Sequence, residues 1–478
     1  MMVFCISFFN ILCNFVIGLL IAKFLGPEEY GRFALAYATA VFVQAGFFDW
    51  IKLGATRFYS ERIRTEKPAL RATLDAAFAV ITVGLAASGA LLMFTGIKFT
   101  LSHGLIALAL AVAATNGLFD YYTALVRARF NDGLFARLAL VKNGVAFALM
   151  GGGAFLFGSA KMTLTGTLIS LAGSIVTARA ALADGNSKST LAQWPVARAL
   201  LAYSLPIIGA NLLYLAIPLA NRSILAILHG FSETGQFSLA YDFGTKAIQA
   251  IGSALDIVLF QIAVATHERQ GPEQARPQIA RNMTLVVALL LPACTGFWLT
   301  LPSIEVLAVP EAYRGPFGEL LPLMMTSLFA MGIIQYGINP VFQIEKKTLP
   351  LIAAAIAACA ADPLLLLLLR QGGDAASLAI AQAGAMVTAL IVLALFATKM
   401  WEHWPRPRDL AVVVFANAVM GALVLPFRTE VPGLSTLLEE VLTGVGAYSF
   451  VVLVLDVADL RAMLIARLRL TLARMKTL

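Results

Sequence analysis

Long apolar stretches follow one another along almost the whole chain, and short polar segments separate them. Each stretch is long enough for a helix to cross a lipid hydrocarbon core, which takes about 20 residues. Helices are expected because lipid offers the backbone no hydrogen-bond partners, and because the stretches lack the two-residue alternation of a membrane β-barrel. The apolar stretches lie near residues 3–22, 33–56, 72–95, 104–126, 138–158, 162–180, 199–226, 236–263, 283–307, 319–343, 349–369, 376–398, 410–427 and 437–457. The pattern predicts an all-α integral membrane protein with about 14 transmembrane helices, whose connections are too short for an extramembrane catalytic domain.

Composition agrees with this pattern and narrows the class of protein. Hydrophobic residues make up 60% of the 478 positions and charged residues 13%, and the mean hydropathy is +0.83. Soluble proteins average roughly 45–50% apolar and about 25% charged residues. A water-soluble enzyme, a disordered chain and a disulfide scaffold are therefore excluded.

Cysteine and histidine residues give no sign of a metal site or a cofactor. The four cysteines lie inside apolar stretches without a CxxC motif, and the four histidines do not have zinc-ligand spacing. We therefore expect neither a metal nor a cofactor. The first apolar stretch is too long for a signal-peptide core and lacks a basic leader, so it is expected to be a retained transmembrane helix.

The distribution of lysine and arginine predicts the orientation of the chain. The formal net charge is +8, and cytoplasmic loops of membrane proteins carry most of the basic residues. With the N-terminus in the cytoplasm, 25 basic residues fall in the inner segments and 7 in the outer ones. This split indicates an even number of spans and two cytoplasmic termini. The segment from Arg461 to Lys476 has the pattern of a basic helix on anionic lipid, or of a plain stop-transfer tail.

One segment of the sequence occurs twice. Residues 26–37 (GPEEYGRFALAY) recur as residues 230–241 (GFSETGQFSLAY), with an offset of 204 positions and seven of the twelve residues identical. Each copy forms the short outer turn that follows one predicted span and opens the next. Six predicted spans separate the copies, so the two halves are expected to have the same topology. They should be related by an axis along the membrane normal, as parallel repeats in transporters are.

The first copy of this turn, together with four further motifs, carries a resemblance to a known family. The turn from Leu25 to Gly31 resembles the polysaccharide flippase family of the multidrug/oligosaccharidyl-lipid/polysaccharide exporter superfamily. The further motifs that are similar to this family's pattern are Thr56-Arg57-Phe58, Asn221-Arg222, Pro310-Glu311-Ala312-Tyr313 and Leu320-Leu321. The chain departs from the family at Asn221, because the family usually has Asp before the arginine.

The resemblance implies a particular fold and activity. It implies two six-helix lobes around a central cavity and two additional C-terminal helices. With the predicted spans, this gives an N-terminal lobe at 1–182, a cytoplasmic linker at 183–198, a C-terminal lobe at 199–400, and helices 13 and 14 with a basic tail at 401–478. The implied activity is the export of undecaprenyl-diphosphate-linked oligosaccharide units across the bacterial inner membrane, for an O-antigen or exopolysaccharide. Membrane lipids, a polysaccharide polymerase and chain-length machinery are the implied partners.

Ionisable residues at membrane depth are candidates for function, because each costs about 2.5–3.5 kcal/mol to insert. The acids at membrane depth are Asp49, Asp120, Asp242, Asp256 and Asp362, and the cations are Lys52, Arg222 and Lys246. Helical spacing places Asp49 on the same face as Lys52, and Asp242 on the same face as Lys246. Such pairs either fix helix packing by neutralising each other or take part in ion coupling.

The cations predict where a lipid diphosphate binds. Arg222 follows Pro218, which should bend its helix, and it has no acid within one turn on that helix. Guanidinium groups hold phosphate oxygens with two hydrogen bonds. We therefore predict Arg222 as the first phosphate ligand, then Lys246, then Lys52. The structural alternative is an arginine bonded to backbone carbonyls that the proline frees.

Three acids are candidates for ion coupling. Asp242, Asp49 and Asp362 could bind a proton or a cation that drives transport. Asp362 precedes Pro363, where a break in the helix is expected. The structural alternative for Asp362 is a cap for the broken turn.

Two other functions remain open from the sequence. One is a drug or cation antiporter of the same superfamily. The other is an integral-membrane glycan polymerase or ligase, against which the short and nearly uncharged outer segments count. The sequence contains no GxxxxGK[ST] loop, so the chain is not expected to hydrolyse ATP or to be an enzyme.

Overall fold

A computed structural model describes residues 2–60, 66–94, 96, 98–183, 187–344, 347–369, 372–400 and 403–461. In this part of the chain, regular structure consists of helices only. The helices are α1 (Met2–Phe47), α2 (Asp49–Phe58), α3 (Pro68–Phe94), α4 (His103–Ala128), α5 (Asp132–Ala146), α6 (Gly152–Phe157), α7 (Ala160–Leu182), α8 (Trp194–Leu228), α9 (Phe231–Gln270), α10 (Pro272–Leu299), α11 (Leu301–Ala308), α12 (Pro316–Gly332), α13 (Asn339–Ile344), α14 (Leu349–Leu369), α15 (Ala375–Met400), α16 (Pro407–Val424) and α17 (Leu434–Val454). Short π-helical segments, Phe147–Gly151 and Ile333–Ile338, join α5 to α6 and α12 to α13.

The two copies of the repeated turn have the same backbone break. Gly26 has φ 69° and interrupts α1, and Gly230 has φ 88° between α8 and α9. Side chains other than glycine rarely adopt such angles. The second predicted span therefore begins at Gly26 inside α1, and its C-terminal end is the short helix α2.

Among the described residues, twelve helices are long and apolar enough to cross a membrane. The predicted spans 3–22 and 33–56 fall largely on one of these twelve, Phe9–Phe47. The predicted span 236–263 lies on α9, where some side chains are outside the description. The all-α transmembrane class is confirmed, and the count of fourteen stays a prediction.

The chain divides into two compact units. The first unit contains Met1–Phe243 and Leu351–Ala385, and the second contains Gly244–Pro350 and Met386–Leu478. The predicted lobe boundaries at 182, 198 and 400 stay a prediction, and residues 462–478 of the predicted basic tail lie outside the described residues.

Large aromatic and aliphatic side chains form the core of the first unit. Phe48, Tyr121 and Leu125 are almost fully buried where α2, α4 and α8 pack together. Tyr121 donates a hydrogen bond of 2.8 Å to Asp75, which also pairs at 2.8 Å with the buried Arg71. Many other large apolar side chains of this unit, such as Val80 and Leu91, are exposed on its surface. Exposed apolar side chains are expected in a protein that is surrounded by lipid.

In the second unit, α10, α16 and α17 share a small core. Val413, Ala416 and Val452 are buried in it, and the Tyr448 hydroxyl donates to the Ala288 carbonyl at 2.5 Å. The hydroxyl satisfies its hydrogen bond inside the bundle, as a polar group at membrane depth must.

Candidate functional site

The two copies of the repeated turn lie against each other in the first unit. A Cβ atom on Gly31 would overlap the carbonyl oxygen of Phe231, and a Cβ atom on Gly235 would overlap the carbonyl oxygen of Pro27. Positions 27 and 231, like positions 31 and 235, are equivalent in the repeat. The contact is therefore reciprocal, which is the arrangement produced by a local two-fold axis between the copies. Whether the complete lobes superpose by the same rotation stays a prediction.

Charged side chains surround this glycine contact. Arg32 pairs with Glu28 at 2.6 Å and also with Glu29, and its guanidinium lies 5.1 Å from the centre of the Phe231 ring. Glu29 also accepts a hydrogen bond of 2.8 Å from the backbone of Ala160. The first copy is thus tied both to the second copy and to the start of α7.

Arg222 is buried in an ion pair between helices. Its Nη2 atom lies 2.5 Å from Oδ1 of Asp242, and its Nη1 donates to the Ala34 carbonyl at 3.5 Å. Tyr30 donates to the other oxygen of Asp242 at 3.4 Å. Arg222 is only 5% exposed. The ion pair and these two hydrogen bonds join α1, α8 and α9.

This geometry corrects one expectation. From the sequence, mutual neutralisation with Lys246 was one of two interpretations of Asp242, and Arg222 had no acid within one turn on its own helix. Asp242 instead forms an ion pair with Arg222, because α8 and α9 are joined by a tight turn and pack side by side. Helical spacing detects partners on the same helix and misses those on the next one. The structural alternative proposed for Arg222, bonding to a backbone carbonyl, is also present through Ala34.

Lys52 is likewise paired across helices. Its Nζ lies 2.7 Å from Oδ2 of Asp120 on α4, and Gln44 donates to the same oxygen at 3.1 Å. Asp49, the partner expected from spacing on α2, has no ion pair with Lys52 within 4 Å among the described residues, and Asp120 is the carboxylate in direct contact. The side chain of Lys52 is 41% exposed, in contrast to the buried Arg222.

A cavity opens beside Lys52. It has a volume of about 360 Å³, and its lining includes Lys52, Tyr59, Ser60, Asp120, Thr123 and Arg127. Among the described residues that line it, two cations and several hydroxyl groups thus share one space with a single carboxylate. Arg127 lies in the last turn of α4, and the packing of α2 against α4 brings it to the same cavity as Lys52.

Three amide and acid side chains meet near the middle of the first unit. Asn221 donates to Gln382 at 3.1 Å and to Asp362 at 3.5 Å, and all three side chains are buried. Oδ1 of Asn221 has no hydrogen-bond partner among the described residues. The helix α14 continues through Pro363, so Asp362 does not lie at the expected helix break. Asn221 stands where the family that the sequence resembles usually has Asp. It thus contacts Asp362, the predicted ion-coupling acid.

The remaining predicted residues are placed separately. Lys246 is half-buried on the part of α9 that belongs to the second unit, and Asp49 is half-buried on α2. The side chain of Asp256 is outside the described residues. Among those residues, no group of three His, Cys, Asp or Glu side chains could hold a metal ion.

Comparison with known proteins supports the fold. No family model matches the sequence, and no curated protein matches it. A solved structure described as the lipid II flippase MurJ in an inward closed conformation is similar over 95% of this chain and 99% of its own, with a TM-score of 0.71 and 13% identity. An inward-facing multidrug resistance MATE transporter of the MOP superfamily is similar over 82% of this chain and 94% of its own, with a TM-score of 0.65 and 14% identity. A MOP superfamily transporter from Pyrococcus furiosus is similar over 84% of this chain and 95% of its own, with a TM-score of 0.53 and 15% identity. The chain therefore has the fold that is shared by this lipid II flippase and these transporters.

Proposed function

We propose that the protein is a flippase that moves undecaprenyl-diphosphate-linked oligosaccharide units across the bacterial inner membrane for surface polysaccharide biosynthesis. The observation that carries this proposal is the cavity beside Lys52, in a chain whose fold is similar to that of a lipid II flippase. Both termini would be cytoplasmic. A polysaccharide polymerase and chain-length machinery would use the exported unit on the outer side.

The cavity fits a sugar diphosphate by its chemistry. Lys52 and Arg127 offer ammonium and guanidinium donors for phosphate oxygens, and Asp120 cancels only one of these charges. Thr123, Ser60 and Tyr59 offer hydroxyl groups that can bond with sugar hydroxyls. The volume of about 360 Å³ is within the range of small-molecule sites. In the orientation predicted from the basic residues, this cavity would lie at the cytoplasmic end of α2 and α4, where the lipid-linked unit would first bind.

Arg222 remains a candidate phosphate ligand, in competition with Asp242. In this conformation its charge is balanced by Asp242, so a diphosphate could bind it only if the helices that carry the pair separate. We propose that Lys52 and Arg127 act first and that Arg222 acts in a later conformation, with Lys246 as a further ligand.

Ion coupling is assigned to the cluster of Asn221, Asp362 and Gln382. Asp362 supplies a buried carboxylate, and Oδ1 of Asn221 and Oε1 of Gln382 supply neutral oxygens beside it. Such oxygen ligands suit a hard monovalent cation or a proton on the acid. Asp242 is less suited, because Arg222 already balances its charge, and Asp49 lies outside this cluster.

The second candidate function is a drug or cation antiporter. The likeness to MATE transporters and the buried acid Asp362 favour it. A cationic drug would be repelled by Lys52 and Arg127 and attracted by Asp120, so the two functions predict opposite effects when these cations are removed.

The proposal is tested with variants in cells that make the polysaccharide. Lys52→Ala and Arg127→Ala should reduce export by about tenfold or more, because each removes a charge-assisted phosphate contact. Lipid-linked oligosaccharide should accumulate in the inner leaflet and be detected by mass spectrometry of extracted lipids. Lys98→Ala, at an exposed residue predicted to lie outside, should export normally.

Two results would contradict the proposal. Normal polysaccharide in a strain that lacks the gene would exclude the function. Increased resistance to cationic drugs in the Lys52→Ala strain, without any change in polysaccharide, would establish the antiporter instead.

A further inference from the structure

A second cavity lies entirely within the second unit. It has a volume of about 790 Å³ and is formed by α10, the start of α16 and the residues after α17. Its polar lining includes Gln278, Arg281, His403, Arg406, Asp409 and Asp459, and Trp404 lies among them. None of these residues belongs to the sites proposed above.

The charges in this cavity are mixed and balanced. Among the described residues, two arginines and two aspartates line it, and one of each, Arg406 and Asp459, lie 3.7 Å apart at the exposed rim. An anionic ligand would meet two carboxylates, and a simple cation would meet two guanidinium groups. A ligand that carries one charge of each sign matches this lining.

Asp409 indicates where the positive end of such a ligand would lie. The residue is 5% exposed, and its carboxylate has no hydrogen bond or ion pair with any residue that the structure describes. It lies in the first turn of α16, where the helix dipole stabilises its negative charge. A buried carboxylate is costly unless it is paired, so a cationic group from a ligand would complete it.

We propose that this cavity binds the headgroup of a zwitterionic phospholipid of the phosphoethanolamine type. The phosphate would contact Arg281 and Arg406, and the primary ammonium would donate to Asp409. A lipid is favoured over a soluble zwitterion because the cavity lies at the start of α16, a helix long and apolar enough to cross a membrane. Trp404 precedes that helix, as tryptophan does at membrane interfaces, and Val414 and Phe415 farther along it are exposed apolar residues.

The test uses the purified full-length protein, delipidated in detergent. Dihexanoyl phosphatidylethanolamine, phosphatidylcholine and phosphatidylglycerol are titrated below their micelle concentrations, and tryptophan fluorescence is recorded. The Trp404→Phe variant identifies the contribution of Trp404, which is one of five tryptophans. We expect saturable binding of phosphatidylethanolamine, about tenfold tighter than binding of the other two lipids, because only its headgroup offers an ammonium donor to Asp409.

Variants assign the two ends of the headgroup. Asp409→Asn should weaken phosphatidylethanolamine binding by about tenfold and leave phosphatidylglycerol unchanged, whereas Arg281→Gln should weaken both. The exposed Glu439→Gln serves as the control and should bind like the wild type. If Asp409→Asn does not fold, the proposal is still tested by the relative affinities of the three lipids for the wild type and for Arg281→Gln.

Three results would overturn the proposal. The first is equal binding of the three lipids by the wild type. The second is unchanged phosphatidylethanolamine binding by a folded Asp409→Asn protein. The third is binding of glycerophosphoethanolamine as tight as that of the lipid, which would assign the cavity to a soluble zwitterion. Because neither Lys52 nor Arg222 lines this cavity, each result is independent of the flippase proposal.

Discussion

Arg222 illustrates how an arginine at membrane depth can be both structural and functional. Its guanidinium contacts Asp242, the Ala34 carbonyl and the face of Tyr241. Removing one partner of a buried ion pair leaves the other charge uncompensated, which costs about 3–5 kcal/mol when both are buried. Asp242 is 29% exposed, so the cost here should be smaller. Loss of transport in a single variant could therefore reflect loss of stability.

A double variant separates these two roles. Arg222→Ala should lower the thermal midpoint of the purified protein, and Arg222→Ala combined with Asp242→Asn should recover most of it, because no charge is left unpaired. If Arg222 binds phosphate, the double variant should still export little polysaccharide, and Arg222→Lys should retain part of the export. Normal export by the double variant would show that the arginine serves only to balance Asp242.

At the scale of elements, the helices that carry the two copies of the repeated turn pack directly against each other at Gly31 and Gly235. A methyl group at Gly31 or Gly235 would meet backbone atoms of the opposite copy. Backbone cannot move aside as a flexible side chain can, so the helices would have to separate. Overpacking of this kind typically costs about 1–3 kcal/mol.

Alanine substitutions test this contact. Gly31→Ala and Gly235→Ala should each lower the thermal midpoint of the purified protein and should have similar effects, since the contact is reciprocal. Gly173→Ala is the matched control, because a Cβ there meets no atom within 4 Å, and alanine in a helix is favoured over glycine by about 1 kcal/mol. A Gly31→Ala protein as stable as the Gly173→Ala protein would contradict the packing.

The sequence predicted elements better than it predicted partners. Apolar stretches of this length mark transmembrane helices, because a backbone in lipid must satisfy its hydrogen bonds internally. The repeated turn placed Gly26 and Gly230 at equivalent breaks between helices. The ion pairs Lys52–Asp120 and Arg222–Asp242 were missed because each joins two helices. Spacing along one helix offered Asp49 and Lys246 as partners instead. The Asn221 contact with Asp362 and Gln382 depends on α8 and on residues more than a hundred positions away, which no local pattern reveals.

At the scale of the whole molecule, the orientation in the membrane is the main untested prediction. It depends on the split of 25 inner and 7 outer basic residues. The same orientation places the Lys52 cavity on the side where lipid-linked sugars are made.

Cysteine labelling in intact cells tests this orientation. In a cysteine-free background, Thr100→Cys and Glu311→Cys should react with a membrane-impermeant maleimide, because both residues are exposed on predicted outer segments. Lys67→Cys and Lys188→Cys should react only after the cells are opened. Labelling of Thr100→Cys and Lys188→Cys from the same side would contradict the predicted topology.

The reciprocal glycine contact also explains why positions 27 and 231 can differ between the two copies of the turn, whereas positions 31 and 235 are both glycine. The atoms contributed by positions 27 and 231 are carbonyl oxygens, which every amino acid supplies, and these positions hold proline in one copy and phenylalanine in the other. Positions 31 and 235 must have no side chain, because a Cβ atom there would overlap those oxygens. Both positions are glycine. A half-length chain carrying this turn would make the same contact with an identical copy of itself in a symmetric dimer. In a chain that joins two such halves, the carbonyl positions can differ freely, whereas either glycine can change only by displacing the backbone of the opposite half.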